Sequence, residues 1–351
     1  MKRMAWVLAV VFSSAYAGGA SEQEPLLQVD RLVQEAIEAN PKILAAREKH
    51  SALKEKISQA GALDDPMLSV GVVNLPNNFE LDEEDMTAKE IAISQKFPVP
   101  GKRGLNEEAA AREADAGAAE AEEIANQVAR DVKTAFYDLS HAHRAMEVTR
   151  RNKSILEELV KITQTRYALG QGIQEDVIRN QVEISKMVDD LIMLDQKRRA
   201  LTARLNYLLN RPPNDPLGRP AEVGFRPAAF SIEDLQQQAA ANNPMLRALK
   251  QDIAARGKSV DLARRDYFPD FSLKFAYGQR DDRLDMVTGM VEMNLPIFYK
   301  SKQERKVAEA YAEVRSSQAK FDGAQNEIFY MIADMGSMAQ RLERKIELYR
   351  T

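Results

Sequence analysis

Apolar residues recur every three or four positions along two long stretches of the chain. From Leu105 to Ala168 there is no proline, the only glycine is Gly117, and Glu, Arg and Lys fill the positions between the apolar ones. At 1.5 Å per residue this stretch predicts one helix of about 90 to 100 Å. A helix of that length needs helical neighbours, because most helical stability in water comes from packing an amphipathic face.

A short glycine-containing segment separates this helix from the second stretch, which extends from Gln174 to Asn210. The segment reads Ala168-Leu-Gly170-Gln-Gly172-Ile, which predicts a tight reversal and therefore an antiparallel helical hairpin. Four prolines between positions 212 and 220 end the second helix.

Two shorter segments, 45–62 and 248–265, are rich in Ala, Lys, Glu, Arg and Leu, which favour helices. Each follows an Asn-Pro pair, Asn40-Pro41 or Asn243-Pro244. The residue before proline avoids the helical region and proline suits a helix start, so each pair predicts a short helix followed by a longer one. A simple loop between two helices is the alternative.

Four segments alternate between apolar and polar residues, which is the period of a strand. They span 67–73, 90–97, 271–277 and 287–295, and Met290 blurs the last one. One interpretation is a small sheet packed on helices; the other is a set of membrane strands with one face toward lipid. Two hairpins cannot close a barrel, and lipid does not tolerate open sheet edges. The membrane interpretation therefore requires several chains to share one barrel.

The order helix, strand, strand, long helix occurs twice. Asn40-Pro41 and Pro66 match Asn243-Pro244 and Pro269 at one constant offset, which indicates duplication. We predict a first structural repeat over 28–215, a linker over 216–231 and a second repeat over 232–351. The second long helix is predicted to begin near position 300. Because no counterpart of 167–210 follows it, we expect the second repeat to be truncated in its long helix.

The first residues have the pattern of a secretory signal peptide. Lys2 and Arg3 precede the apolar run Met4 to Phe12, and the small-residue site Ala15-Tyr16-Ala17 follows. A membrane anchor would need about 18 to 20 apolar residues, more than this run supplies. We predict a signal peptide over 1–17 and an exported chain that is either soluble or enters a membrane only as strands.

Composition excludes several kinds of chemistry. The chain has no cysteine, which excludes disulfides, thiolate metal sites and thiol catalysis. Its 49 basic and 53 acidic residues give a net charge of -4 and no basic footprint for nucleic acid. His141 and His143 are two apart on a helix and point in different directions, a poor metal geometry. With no Ser-His-Asp arrangement in view, we predict no enzyme activity, no cofactor and no metal site.

Two segments, together with the repeated order of elements, carry a family resemblance. Ile93-Ser-Gln-Lys-Phe-Pro-Val-Pro-Gly-Lys-Arg103 is similar to the strand end and glycine-basic helix start of TolC-like outer-membrane efflux proteins, particularly members that serve heavy-metal efflux. Arg166-Tyr-Ala-Leu-Gly170-Gln-Gly-Ile-Gln-Glu-Asp176-Val resembles the periplasmic turn of the same family.

The resemblance implies a mainly α fold with a few β-strands. Long antiparallel helical hairpins form a periplasmic α-barrel tunnel, and each chain of a homotrimer contributes four strands to a shared transmembrane β-barrel. The implied function is that of an outer-membrane channel subunit of a tripartite efflux or type I secretion system. The implied partners are a periplasmic adaptor, an inner-membrane pump of the resistance-nodulation-division or ABC type, and outer-membrane lipid. The alternative function is a soluble periplasmic helical-hairpin adaptor or scaffold.

The resemblance also assigns two sets of candidate residues. The first set reverses the long helix and is implied to contact the adaptor, with two acids adding negative charge at the tunnel mouth. It consists of Arg166, Tyr167, Gly170, Gly172, Glu175 and Asp176. The second set joins strand to helix where lipid headgroups are expected. It consists of Pro98, Pro100, Gly101, Lys102 and Arg103.

Overall fold

A computed structural model of the chain describes residues 26–350, apart from 78, 82, 83, 226 and 228. The predicted signal peptide lies outside these residues. In chain order the elements are α1 (Val29–Ala39), α2 (Pro41–Gly61), β1 (Met67–Val73), β2 (Ala88–Phe97), α3 (Lys102–Ala168), α4 (Gln174–Leu208), α5 (Ile232–Asn242), α6 (Pro244–Arg265), β3 (Phe271–Gln279), β4 (Met286–Met293) and α7 (Gln303–Leu348).

Each Asn-Pro pair separates a short helix from a longer one, as predicted. The side chain of Asn40 accepts a hydrogen bond from Lys42 N at 2.9 Å, and that of Asn243 accepts one from Leu246 N at 3.1 Å. Proline is the first helical residue in both cases, so α2 and α6 begin four residues before the predicted 45 and 248.

The long helix α3 contains 67 residues and is about 100 Å long. It begins at Lys102 rather than at the predicted 105, because Gly101 adopts a left-handed φ of 93° and turns the chain directly into the helix. α4 returns antiparallel to it, which confirms the predicted hairpin.

The main core lies at the middle of α3, where α1 and the C-terminal half of α4 cover it. Its buried members are Leu32, Ala36, Ile43, Val128, Val132, Ala135, Phe136, Leu139, Ala142, Leu201, Leu205, Leu208 and Leu209. Nearer the sheet, α3 packs against α2 on one side and α6 on the other, and α7 packs against α6. The four helices α2, α3, α6 and α7 therefore lie side by side.

The four strands form one antiparallel sheet in the order β1-β2-β3-β4. β2 pairs with β3, with Ile91 opposite Tyr277, so the two halves of the chain meet inside the sheet and leave β1 and β4 at its edges. The predicted strands are confirmed, although β4 ends at Met293 rather than at 295. Met290 pairs with Lys274 on the face opposite the apolar one, which explains why it blurred the sequence pattern. Among the described helices, none is both long and apolar enough to cross a membrane.

Candidate functional site

One face of the sheet exposes apolar side chains across all four strands. Val70, Ile91, Tyr277 and Val287 form a single cross-strand row, and Val70 and Val287 are 76% and 80% exposed. The neighbouring row brings Leu68 beside further exposed apolar side chains on β2 and β3. A continuous apolar sheet surface without a cover is unusual for a protein surrounded by water and indicates a hydrophobic contact.

The opposite face carries mainly small and polar residues, with Met67 and Met290 as exposed exceptions. Ser69, Ala92, Ala276 and Thr288 form one row there, with Ala92 only 2% and Ala276 only 5% exposed. In the adjacent positions Lys274 donates a hydrogen bond to Glu90 at 3.1 Å. The sheet therefore has an apolar side and a polar side, the alternation that membrane strands have around an aqueous lumen.

Aromatic rings concentrate at the end of the sheet that adjoins the helices. Phe97 and Phe271 stack with centroids 5.4 Å apart, and Tyr267 lies 6.4 Å from Tyr299. Phe298, beside Tyr299, is also exposed. Aromatic girdles of this kind mark the boundary between lipid and water in barrel proteins.

The strand-to-helix junction of the first half is held by ion pairs to the second half. Lys102 Nζ lies 2.9 Å from both Asp266 Oδ1 and Asp270 Oδ1, and Asp266 also pairs with Lys306 at 2.5 Å. Val99 N donates to Asp270 Oδ1 at 2.8 Å. These groups tie the starts of α3 and α7 to the segment between α6 and β3.

The remaining predicted junction residues surround this ion-pair cluster. Pro98 and Pro100 flank Val99, Gly101 turns the chain into α3, and Arg103 Nε donates to the carbonyl of Gly61 at 2.7 Å. Contact of this segment with lipid headgroups stays a prediction.

The ion pairs shift two pKa values in opposite directions. Burial would lower the pKa of Lys102, but its hydrogen bonds to Asp266 and Asp270 outweigh burial and raise that pKa above its ordinary value. Burial would raise the pKa of Asp266, but Lys306 and Lys102 hold it below its ordinary value. Both shifts favour the charged forms, so the cluster is an attractive one.

The far end of the α3–α4 hairpin brings together the first set of predicted residues. Gly170 has φ 73°, its N–H donates to Tyr167 O at 3.0 Å, and the N–H of Gln171 donates to Arg166 O at 2.8 Å. This pair of bonds is a Schellman motif, which ends a helix at a left-handed residue. The structural role of Gly170 in the reversal is therefore confirmed.

The other tip residues are exposed around this turn. A Cβ added to Gly172 would lie 3.4 Å from the Cβ of Arg166, and Glu175 pairs with Arg179 at 2.8 Å. Asp176 and the ring of Tyr167 are exposed as well. Adaptor contact by these residues stays a prediction.

Sequence reasoning missed the partners of Lys102. Asp266 and Asp270, and Lys306 that also pairs with Asp266, lie far from Lys102 along the chain, and no local motif links them. Within the described ranges, no group of three or more His, Asp or Glu side chains is arranged to hold a metal ion.

Comparison with known sequences places the chain in a class. The profile of the outer membrane efflux protein family matches residues 32–211 and 235–351. Nodulation protein T of Rhizobium leguminosarum bv. trifolii is 22% identical over 249 residues, a match that covers 69% of this chain and 53% of that protein. The chain thus spans about half the length of this curated relative.

Solved structures share the fold. A CusC structure, from work on folding and transmembrane channel formation, superposes with a TM-score of 0.76 at 16% identity, covering 96% of this chain and 81% of that one. The outer membrane protein VceC of Vibrio cholerae gives a TM-score of 0.75 at 17% identity, covering 91% and 80%.

A long helical hairpin joined to a sheet with one apolar and one polar face defines a class of proteins that includes outer-membrane channels. The chain belongs to the outer membrane efflux protein family. The solved structures, at 16% and 17% identity, show that the fold is shared with outer-membrane channels.

Proposed function

We propose that this chain is a subunit of a trimeric outer-membrane channel that conducts substrate passively from an inner-membrane pump and a periplasmic adaptor to the exterior. The observation that carries the proposal is the two-faced sheet. One face exposes apolar side chains on all four strands, whereas the opposite face holds mainly small residues and the Lys274–Glu90 ion pair. A sheet built this way suits lipid on one side and a water-filled lumen on the other.

The helices supply the second part of the proposal. α3, about 100 Å long, extends from the sheet to the glycine turn, and α4 returns from that turn to the middle of α3. A trimer would assemble these hairpins into a periplasmic tunnel whose tip meets the adaptor. The energy for transport comes from the pump, so the channel needs no catalytic residue, and the pump selects the substrate, whether metal, drug or protein.

Membrane fractionation tests the channel against a soluble adaptor or scaffold. We expect the exported chain to remain in the outer-membrane fraction after osmotic shock and after washing with high salt, and to be released by detergent. Release by osmotic shock alone would reject the channel and support the soluble alternative.

Substitution at the turn tests the predicted tip. Replacing Gly170 and Gly172 with valine places a β-branched residue at φ 73° and a side chain against Arg166. We expect export by the complex to be lost in a tolerance or secretion assay while the protein still reaches the outer membrane. Unchanged export would reject the tip as the adaptor contact.

A further inference from the structure

Two surfaces at opposite sides of the chain have no cover from any other described element. β1 and β4 are the two edges of the sheet. Beside them, α2 packs on α3 and α7 packs on α6, so the outer side of each of these helices is open. Under the proposed function, on which this inference rests, these surfaces belong to the contact between copies of the chain.

The contact between the two halves of the chain supplies a template for the contact between copies. Lys49 of α2 pairs with Glu120 of α3 at 2.9 Å, and Ser317 of α7 donates to Asp252 of α6 at 2.7 Å. Lys49 lies eight residues after Pro41, and Asp252 lies eight residues after Pro244. Lys49 and Asp252 are therefore equivalent, which aligns α2 with α6. Taking their two partners as equivalent in turn aligns Glu120 of α3 with Ser317 of α7.

This alignment predicts a charged pair between copies. Inside the chain, Lys258 of α6 pairs with Glu108 of α3 at 2.5 Å. Glu108 lies twelve residues before Glu120, and Arg305 lies twelve residues before Ser317. Lys258 lies six residues after Asp252, and Glu55 lies six residues after Lys49. The equivalent pair between copies is thus Arg305 with Glu55.

Both members of this pair are exposed in the single chain. Arg305 and Glu55 lie on the uncovered sides of α7 and α2, and neither takes part in an ion pair among the described residues. Their charges are opposite, so they attract each other across a contact between copies.

The strands give an independent check. Pro98 and Pro296 end the second strand of each half, and Pro66 and Pro269 precede the first. Gln95 lies three residues before Pro98, as Met293 lies three before Pro296, and Leu273 lies four after Pro269, as Val70 lies four after Pro66. The internal pair of Gln95 with Leu273 therefore corresponds to Met293 paired with Val70 of a second copy.

This strand register keeps the apolar face continuous. Met293, 58% exposed, and Val70 both lie on the apolar face, and the next pair, Val291 with Val72, does as well. A shift of one residue would turn one strand over and break that face. The helix and strand alignments were obtained from different contacts, and each places a compatible pair across the contact, Arg305 with Glu55 and Met293 with Val70.

We propose that α7 and β4 of one copy pack on α2 and β1 of the next in the register of the internal α3–α6 and β2–β3 contacts, with Arg305 facing Glu55 and Met293 facing Val70 of the second copy. The charges of Arg305 and Glu55 are reversed relative to the internal pair, in which Glu108 of α3 is the acid and Lys258 of α6 is the base.

The reversal discriminates between correct and incorrect neighbours. If α3 met α2 of a second copy through this surface, Glu108 would face Glu55, and if α7 met α6 of a second copy, Arg305 would face Lys258. Like charges disfavour the second arrangement. In the first, Arg112 would face Glu48 and offset the repulsion, so the charges discriminate against contact of α7 with α6 of a second copy. The equivalent of Arg112 and Gln251 is Glu309 with Glu48, a like-charged pair that offsets part of the attraction, so the charge argument rests on Arg305 and Glu55 alone.

Charge exchange tests the helix contact in the full-length, detergent-extracted protein. We expect Arg305→Glu and Glu55→Arg to lower the oligomeric fraction by roughly two- to fivefold per contact, and the double variant to restore it. Arg315→Glu, an exposed substitution on another side of α7, is the matched control and should leave the fraction unchanged. A double variant no better than the singles would overturn the pair.

Cysteine pairs test the strand register, because the natural chain has no cysteine. Opposed residues of antiparallel strands lie within disulfide reach. The variant carrying Val70→Cys and Met293→Cys should form reducible cross-linked dimers and trimers under mild oxidation. The variant carrying Gly71→Cys and Met293→Cys should not, since Gly71 points to the other face.

The outcomes separate this inference from the proposed function. Cross-linking through Gly71→Cys instead, or an oligomer that cross-links through neither pair, rejects the register while membrane fractionation and export still support a channel. A monomer that osmotic shock releases rejects both.

Discussion

The middle of α3 and its two ends have the same amphipathic pattern but different surroundings. Around Phe136, α1 and α4 bury the apolar side of the helix, and Phe136 is 2% exposed. Toward the tip, Ile155, Leu159 and Ile162 continue the pattern, and Ile162 is 52% exposed. At the other end, α3 meets a sheet whose apolar face is uncovered.

The comparison shows that periodicity identifies the apolar side of a helix and leaves open what covers it. The middle is stabilised by contacts within one chain. The tip of α3 and the apolar face of the sheet present the same kind of side chain without a cover from the described residues, which is the arrangement of a subunit that completes its packing with other molecules.

The largest expected difference separates the middle from the tip. Phe136→Ala should lower the free energy of unfolding by about 3–5 kcal/mol, because it opens a cavity in the main core. Ile162→Ala should cost about 0.5 kcal/mol or less in the isolated chain, because this side chain is exposed. Denaturant titration in detergent measures both. Similar losses in an isolated monomer would contradict the comparison, whereas a large Ile162→Ala loss seen only in the oligomer would show that another copy covers the tip.

A second difference concerns the two Asn-Pro junctions. Asn40 is buried and donates to Leu208 O at 2.8 Å besides capping α2, which joins α2 to the end of α4. Among the described residues, the side chain of Asn243 makes only its capping bond. Asn40→Ala should cost about 2–4 kcal/mol, from a lost cap and a carbonyl left without its partner, and Asn243→Ala about 1 kcal/mol.

The same denaturant titration compares the two asparagine variants. Equal losses would mean that the bond to Leu208 contributes nothing to the middle of the molecule.

At the start of α3, beside the sheet, ion pairs of Lys102 add to the packing of the helix against α2 and α6. Lys102→Met should cost about 1.5–3 kcal/mol, because it removes hydrogen bonds to Asp266 and Asp270 and leaves two carboxylates close together. The loss should be greatest at neutral pH. Lys306→Met is the matched comparison, with a smaller expected loss because Lys306 is more exposed than Lys102 and bonds only one of the acids.

The pH dependence of this cluster follows from the two pKa shifts. The lowered pKa of Asp266 means that its contribution is present above its ordinary pKa, near pH 4, and is lost as pH falls through the lowered value. The raised pKa of Lys102 means that its contribution is present below about pH 10 and is lost as pH rises through the raised value. Unfolding midpoints between pH 3 and 7 should fall more steeply toward acid in the natural chain than in Lys102→Met. Parallel curves would show that the cluster contributes little.

Local patterns predicted the elements well, because strands, helices and turns leave short-range signals. The alternation over 67–73 and the Gly170 turn both correspond to what the structure shows. Contacts between the halves leave no such signal. Lys102 gives no indication that Asp270 lies beside it, because that approach depends on how β2 pairs with β3.

Some sequence positions were interpreted correctly only in part. Ile155 and Leu159 fit the apolar side of α3, yet they are exposed, because the helix continues beyond the elements that cover its middle. Burial is a property of the assembled neighbours, so a periodic pattern within one chain cannot supply it.

The smallest expected effects come from two glycines at opposite ends of α3, Gly104 in its first turn and Gly170 at the tip, which should respond with opposite signs. Gly170→Ala should cost about 1 kcal/mol, because φ 73° forces a Cβ into the left-handed region. Gly104→Ala, in the first turn of α3 with no atom within 4 Å of the added Cβ, should stabilise the chain by about 0.4–1 kcal/mol by restricting the unfolded state. Thermal unfolding of both variants measures the contrast. Because the tip is open, the Gly170→Ala loss should be confined to the turn and leave hydrogen exchange around Phe136 unchanged; altered exchange there would mean that the tip and the middle are coupled, contrary to the comparison.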